Sequence, residues 1–184
     1  GQVQSPNIQD DYHLQKVKLG EGALGTVWRA VDKKTGQVVA VKQLDKATMP
    51  KRGVTPERVK EEIDVMSLFQ HGNIIRLYQS YQDGKSIFLA IEYCDGGDFG
   101  DKLLEKGYDM KESEAAWWLQ QMCAAVVAMH AKHICHRDIK PDNFLVDSAD
   151  GGRLKLADMG LAVSCKPRQR RMDKCGTPAF MAPE

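Results

Sequence analysis

The sequence predicts an α+β fold in two lobes, and three observations carry that prediction. Short apolar and alternating runs fill residues 12–93. A long helical periodicity occupies residues 111–132. Between them lies Cys94-Asp95-Gly96-Gly97, where the texture changes and two glycines supply a break. The expected division is a small sheet-rich lobe at 12–93, a hinge at 94–97 and a mainly helical lobe at 98–184.

The elements follow in chain order. Gly20-Glu21-Gly22-Ala23-Leu24-Gly25 is a glycine-rich turn, and the β-favouring run Thr26–Val31 after it marks a strand–turn–strand unit. Asp32-Lys33-Lys34-Thr35-Gly36 has turn composition. Val38-Val39-Ala40-Val41 and Ile87-Phe88-Leu89-Ala90-Ile91 read as buried strands of a five-stranded sheet. One helix interrupts the sheet. Thr55 is its expected N-cap, Pro56 its first residue, and Val59, Ile63 and Met66 share a face. In the second lobe, Ala115, Trp118, Leu119, Met122, Val126 and Met129 recur at intervals of three and four. They predict an amphipathic helix at about 111–132 with this stripe, and the Trp117-Trp118 pair, against a core. Phe144-Leu145-Val146 and Leu154-Lys155-Leu156 are short strands beyond it.

Composition narrows the class. The chain has 184 residues, 42% hydrophobic and 28% charged, with a formal net charge of +1. That is globular composition, with no sign of a dedicated nucleic-acid or membrane surface. The five cysteines are odd in number and form no C-x-x-C pair, against a disulfide framework or a zinc site. They are expected to be buried reduced thiols of a cytoplasmic or nuclear protein. No signal peptide is visible, and the most apolar stretch, Ala124–Met129, is too short to cross a bilayer. The first residue is Gly1 rather than Met, as expected of a fragment or a processed product.

Four groups of residues carry chemistry. The glycine turn at Gly20, Gly22 and Gly25 lets bare backbone approach phosphates and point N–H groups at them. A dinucleotide-binding fold would place a helix after Gly25 and a ribose acid near Asp45, but the intervening residues read as a hairpin. No G-K-[ST] follows, so this is not a Walker loop. Lys42 ends an apolar strand, and an ammonium near a core needs a carboxylate. Glu62 is the expected partner because it shares the helix face of Met66; Glu61 is its neighbouring competitor. His136-Arg137-Asp138-Ile139-Lys140-Pro141-Asp142-Asn143 is the most specific segment. Asp138 can orient or deprotonate a hydroxyl, Lys140 can neutralise a transferring phosphoryl group, and Asn143 can give an amide oxygen to a metal. Asp158-Met159-Gly160 adds a carboxylate suited to magnesium.

On these motifs, in this order, the sequence resembles the eukaryotic protein kinase family over about residues 12–184. Gly20–Val27, Val39-Ala40-Val41-Lys42, His136–Asn143, Asp158–Gly160 and Ala182-Pro183-Glu184 carry the resemblance. It implies a bilobal kinase-like fold, cut short after Glu184, with aggregation-prone uncovered apolar faces. Lys140 and Gly176-Thr177-Pro178 resemble the serine/threonine branch. Asn143-Phe144-Leu145 and Arg171–Thr177 are similar to calmodulin-kinase-like enzymes, especially calcium-dependent kinases of plants and protists. No EF-hand loop occurs, so calcium sensing would lie outside this chain. The alternative is an ATP-binding pseudokinase, or an inactive fragment serving as an interaction module.

By the same resemblance, Leu19, Gly20, Glu21, Gly22, Gly25 and Val27 cover ATP. Lys42 holds its α/β-phosphates and pairs with Glu62. Ala40, Val27 and Leu145 sandwich the adenine, Ile91 is the gatekeeper, and Glu92 and Cys94 offer backbone groups. Asp98 lies by the ribose. Asn143 and Asp158 bind Mg2+, and Asp138 is the base. Met66, Leu77, His136 and Met159 stack as a spine. Asp98 and Asp142 select basic residues near the target serine or threonine.

Some positions depart from the pattern. Met159 stands for the usual Phe and Leu24 for a flap aromatic. Gly100 is expected to loosen the helix after the hinge. Asp173 stands where many kinases carry a phosphothreonine, so it is expected to pair with Arg137 permanently. The plainer alternative is a solvated acid in the basic run Lys166–Lys174; Ser164 is a weaker candidate for phosphorylation.

Overall fold

The computed structural model describes residues 7–22, 24–107, 109–166 and 174–183. Expectations on Ala23, on Asp173 as partner of Arg137, on Arg171 and Met172, and on Glu184 fall outside the described residues. The chain forms two compact units, Gly1–Ile63 with Arg76–Tyr93 and Asp64–Ile75 with Cys94–Glu184.

The first unit is built on one antiparallel sheet. Its strands are β1 (Tyr12–Gly22), β2 (Gly25–Asp32), β3 (Val38–Asp45), β4 (Leu77–Gln82) and β5 (Ser86–Glu92), in the order β1-β2-β3-β5-β4. Directly opposed residues share a face, so the register sorts the side chains. Ala30, Val39, Val41, Phe88 and Ala90 face one way and form a core with Tyr81. A short helix α1 (Ile8–Asp11) closes that core with Ile8, followed by Tyr12. The Tyr12 and Tyr81 rings meet edge-on at 6.1 Å, and the Tyr81 hydroxyl donates to Asp11 at 2.8 Å. The predicted Asp32–Gly36 turn forms because Asp32 accepts the N–H groups of Lys34 and Thr35, both at 2.8 Å. Helix α2 (Pro56–Ser67) starts as its sequence signals: Thr55 Oγ1 accepts the Arg58 N–H at 3.3 Å, with Pro56 in the first position.

The second unit carries α3 (Phe99–Glu105) and α4 (Glu112–Ala131), two short ribbons and several turns. Strand β6 (Ile134–Cys135) pairs with β9 (Val163–Ser164), and β7 (Phe144–Asp147) with β8 (Arg153–Leu156). Phe144, Leu154 and Leu156 are fully buried, so this hairpin anchors the unit.

Several expectations change. Helix α4 matches the predicted span within a residue at each end, but only part of its stripe is covered. Ala125 and Met129 are buried, whereas Leu119 is 58% exposed and Trp117 44%. Trp118 packs on Phe99 at 5.0 Å, and Trp117 meets Trp118 edge-on at 4.4 Å. The five cysteines form no disulfide and are not buried: Cys123 is exposed and the other four are half-buried. Gly100 lies in the first turn of α3, where a Cβ would fit tightly, 3.1 Å from Asp98 Oδ1 and 3.4 Å from Asp142 Cγ. Among the described residues no helix is long and apolar enough to cross a membrane.

Candidate active site

The glycine turn joins two strands. Gly22 and Gly25 pair across it, and β2 continues from Gly25, which removes the dinucleotide-binding alternative. Gly25 is the position that admits no side chain: a Cβ would sit 1.9 Å from the Gln43 carbonyl oxygen. Leu19, Gly20 and Glu21 lie on β1, with Gly20 opposite Val27 and Glu21 paired to Lys18. Val27 is opposite Lys42, and Ala40 opposite Ile91. With a two-residue repeat, Val27, Ala40, Lys42 and Ile91 therefore share one face, the reverse of the face carrying Val39 and Val41. Glu92 ends β5, with its N–H donating to Arg76 O at 2.9 Å.

Lys42 Nζ meets Glu62 Oε1 at 2.7 Å. Glu62 is buried, so its charge needs this partner. Glu61 instead points outward and pairs with Arg58 at 3.2 Å. An open polar recess of roughly 400 Å³ lies beside the turn, lined by Thr26, Gln43, Asp45, Thr48 and Arg52 among others. Thr26 and Gln43 belong to the face away from Lys42, so this recess is separate from the lysine.

In the second unit the catalytic-loop residues converge on one carboxylate. Asp138 Oδ1 accepts the Thr177 N–H at 2.9 Å and the Thr177 hydroxyl at 2.7 Å. Its Oδ2 accepts Asn143 Nδ2 at 3.0 Å, and Lys140 Nζ stands 3.4 Å away. Lys140 also donates to Thr177 Oγ1 at 3.0 Å. Burial pushes the Asp138 carboxyl up, but the bonds from Thr177 and Asn143 and the Lys140 charge outweigh it, and its pKa falls below the ordinary value.

The segment is positioned by backbone that few residues adopt. Arg137 has φ +71° and Gly176 φ +105°, and a Cβ on Gly176 would lie 2.5 Å from Arg137 O. Arg137 Nε donates to Leu161 O at 2.8 Å. His136 is buried and makes two bonds. Its Nδ1 accepts the Asp138 N–H at 3.2 Å, which makes Nε2 the donor to Ala157 O at 3.0 Å. The Nδ1 bond requires the neutral ring, and burial pushes its pKa down, against the Ala157 bond that favours the charged form.

Asn143 and Asp158 fit a magnesium site by donor chemistry. The Asn143 amide nitrogen is turned to Asp138, donating to its carbonyl at 2.7 Å as well as to its carboxylate, so Oδ1 points the other way. Asp158 has φ +56° and accepts the Gly160 N–H at 3.4 Å. Two oxygen donors suit magnesium, which takes few protein ligands and completes its shell with phosphates and water. No cluster of three metal-binding side chains occurs among the described residues.

The hinge is zipped onto β7. Gly96 N–H donates to Val146 O at 2.9 Å, and Val146 N–H to Gly97 O at 2.8 Å. This pairing brings Asp98 opposite Leu145, two residues assigned to the same ligand. Gly96 has no room for a side chain, since a Cβ would meet Val146 Cβ at 2.8 Å. Cys94, the first hinge residue, is half-buried. Asp98 also caps α3 by accepting the Asp101 N–H at 2.9 Å. Its charge, with burial second, pushes the Asp101 carboxyl up. Of the spine residues, Met66, His136 and Met159 are buried in the second unit, and Leu77 belongs to the first. Sequence reasoning used Thr177 only as a branch marker and missed its grip on Asp138; Gly96 was read only as a break.

Residues 12–184 match the model of the protein kinase domain, and the chain belongs to that family. It is 39% identical over 99% of its length to calcium-dependent protein kinase 5 of Plasmodium berghei, of which it covers 32%. It is 37% identical over 98% to calcium-dependent protein kinase 11 of Arabidopsis thaliana, covering 36% of that protein. It is 36% identical over 96% to human myosin light chain kinase family member 4, covering 45%. The chain thus spans less than half the length of these relatives, and its likeness runs to the calmodulin-kinase-like serine/threonine group.

Proposed function

We propose that the protein carrying this chain transfers the γ-phosphoryl of magnesium ATP to a serine or threonine hydroxyl of a protein. The supporting observation is the constellation at Asp138, where Lys140, Asn143 and Thr177 converge on a single carboxylate. The depressed pKa keeps Asp138 ionised at neutral pH. An ionised carboxylate aligns the substrate hydroxyl and takes its proton as the oxygen bonds to phosphorus and the bond to the leaving β-phosphate oxygen breaks. A weak base suffices because the transition state is loose and proton loss is late. Lys140 faces the same point and offsets charge on the transferred group. Mg2+, when bound, neutralises charge between the phosphates; Asn143 Oδ1 and Asp158 would hold it. Lys42, fixed by Glu62, would hold the α/β-phosphates, while Val27, Ala40 and Leu145 would contact adenine, with Asp98 near the ribose. Radiolabelled phosphate transfer by the full-length protein and by Asp138→Asn tests the reading; equal transfer by both overturns it.

The substrate is proposed to carry basic residues near its target. Asp98, Asp101 and Asp142 gather around Gly100, and their mutual repulsion favours a cationic side chain. A peptide array phosphorylated without basic preference would refute this. Calcium control through a segment outside the chain is proposed from the names of two relatives. Activity of the full-length protein unchanged by calcium chelation would exclude it.

A further inference from the structure

Strand β8 ends two residues before Asp158, and both of its edges are occupied. One edge pairs with β7. The other meets a single parallel bridge, Ile74 to Leu156, and is otherwise satisfied by two amide side chains and a loop. Leu154 N–H donates to Gln121 Oε1 at 2.9 Å, and Leu154 O accepts Asn73 Nδ2 at 2.9 Å. Asn73 Nδ2 also donates to Gln121 Oε1 at 3.2 Å, which closes a triangle. The loop continues the edge: Leu156 N–H donates to Asn73 O at 2.8 Å, and Ile75 N–H to Leu156 O at 2.9 Å. The buried Lys155 ties the same loop through Gly72 O at 3.2 Å.

Gln121 holds its place at a cost. Its Nε2 is buried with no hydrogen-bond partner. An apolar residue of similar shape would avoid that penalty. Turning the amide over would set its N–H groups against the Leu154 N–H, so Oε1 must face the strand. The amide is therefore held for its acceptor.

A strand that slips by one residue turns every side chain to its other face. β8 ends at Leu156, and Asp158 follows two residues later at φ +56°, so a slip of the strand would shift the point at which the chain enters that turn. We propose that Asn73 and Gln121 are positioning residues for the Asp158 carboxylate, and through it for the divalent cation. The inference rests on the reading of Asp158 as a metal ligand. Neither amide touches substrate; they act by locking β8 from the side away from β7.

The test uses the full-length protein with Mn2+ as a paramagnetic probe of its nucleotide complex. Gln121→Met and Asn73→Ser should each weaken Mn2+ binding about fivefold, less than loss of a group bonded to the ligand itself. Exchange of the Leu154 amide should accelerate, while nucleotide affinity without metal stays unchanged. Gln121→Glu keeps the acceptor and, with its carboxyl held neutral by burial, should weaken Mn2+ binding less than Gln121→Met does. Wild-type Mn2+ affinity in folded Gln121→Met overturns the proposal, as does equal weakening in Gln121→Met and Gln121→Glu, which would indicate packing alone. If Gln121→Met does not fold, Asn73→Ser decides between the same outcomes by the same measurement. Asp158→Asn separates the two readings. Loss of Mn2+ binding there with unaffected amide variants rejects only this proposal; unchanged binding there rejects the metal-ligand reading beneath it.

Discussion

The two units place their functional groups by different means. In the first, Val27, Ala40, Lys42 and Ile91 reach a common face through strand register alone. The pleat aims them, and one ion pair, Lys42–Glu62, refines the aim. In the second, Asp138, Lys140, Asn143, Asp158 and Thr177 all lie outside strands. They are held by individual bonds to carbonyls, amides and one imidazole, on backbone that includes three positive φ angles. Register distributes its constraint over many residues and tolerates conservative change. A loop constellation concentrates it in single atoms. Removing one atom should therefore cost rate in the second unit, whereas adding one should cost stability in the first.

The largest effect expected is Asp138→Asn. Shape is kept and one charge lost, and phosphate transfer should fall about a thousandfold. A change under tenfold would break the contrast. Next comes the ion pair. Lys42→Met leaves the buried Glu62 carboxylate alone and should cost about 1–3 kcal/mol of stability along with most activity. Glu62→Gln should be clearly destabilising in denaturant unfolding, while Glu61→Gln stays within about 0.5 kcal/mol. Equal effects at the two positions would contradict the assignment.

Thr177→Val keeps the N–H bond to Asp138 and removes the hydroxyl. It should lower turnover about tenfold and raise the pKa of Asp138 toward the ordinary carboxylate range, with little change in melting temperature. A pure stability loss would place Thr177 with the packing residues. Gly25→Ala adds a single carbon against the Gln43 carbonyl and should destabilise the first unit by about 2 kcal/mol or more.

Acidification gives the smallest and most diagnostic change. The His136 pKa is below 6.5 in the folded chain, so on falling pH the unfolded ring takes up a proton first. Stability is complete above that range and should decline as pH drops through about 6.5 and below. Asp138 acts later. Its pKa is lowered from 3.8, so its contribution persists until pH falls below that value and is lost through the lower folded pKa. His136→Asn should flatten the first slope and leave the second. An unaltered first slope would show that the ring does not govern it.

Strands β2, β3, β5, β7 and β8 and both long helices were legible because their causes are local. Continuous apolar runs name Val38–Val41 and Ile87–Ile91, the Thr55-Pro56 cap starts α2, and the three-four spacing marks α4. The candidate site was legible as residue types in order, since Lys42, Asp138, Asn143 and Asp158 each carry a charge or amide that the chemistry needs. Glu62 over Glu61 followed from helix phase. None of these required knowledge of a distant partner.

What only the folded chain decided involves atoms remote in sequence. Nothing near Gly100 reveals that Asp142 comes to rest against it, and nothing near Gly25 reveals the Gln43 carbonyl. Thr177 bonds Asp138 across 39 residues, and Asn73 reaches Leu154 across 81. The exposure of Leu119 likewise depends on which elements cover α4, which its periodicity cannot express. Periodicity and capping report the energy of neighbouring residues, whereas close approach, hydrogen-bond completion and coverage are set by parts of the chain that meet only on folding.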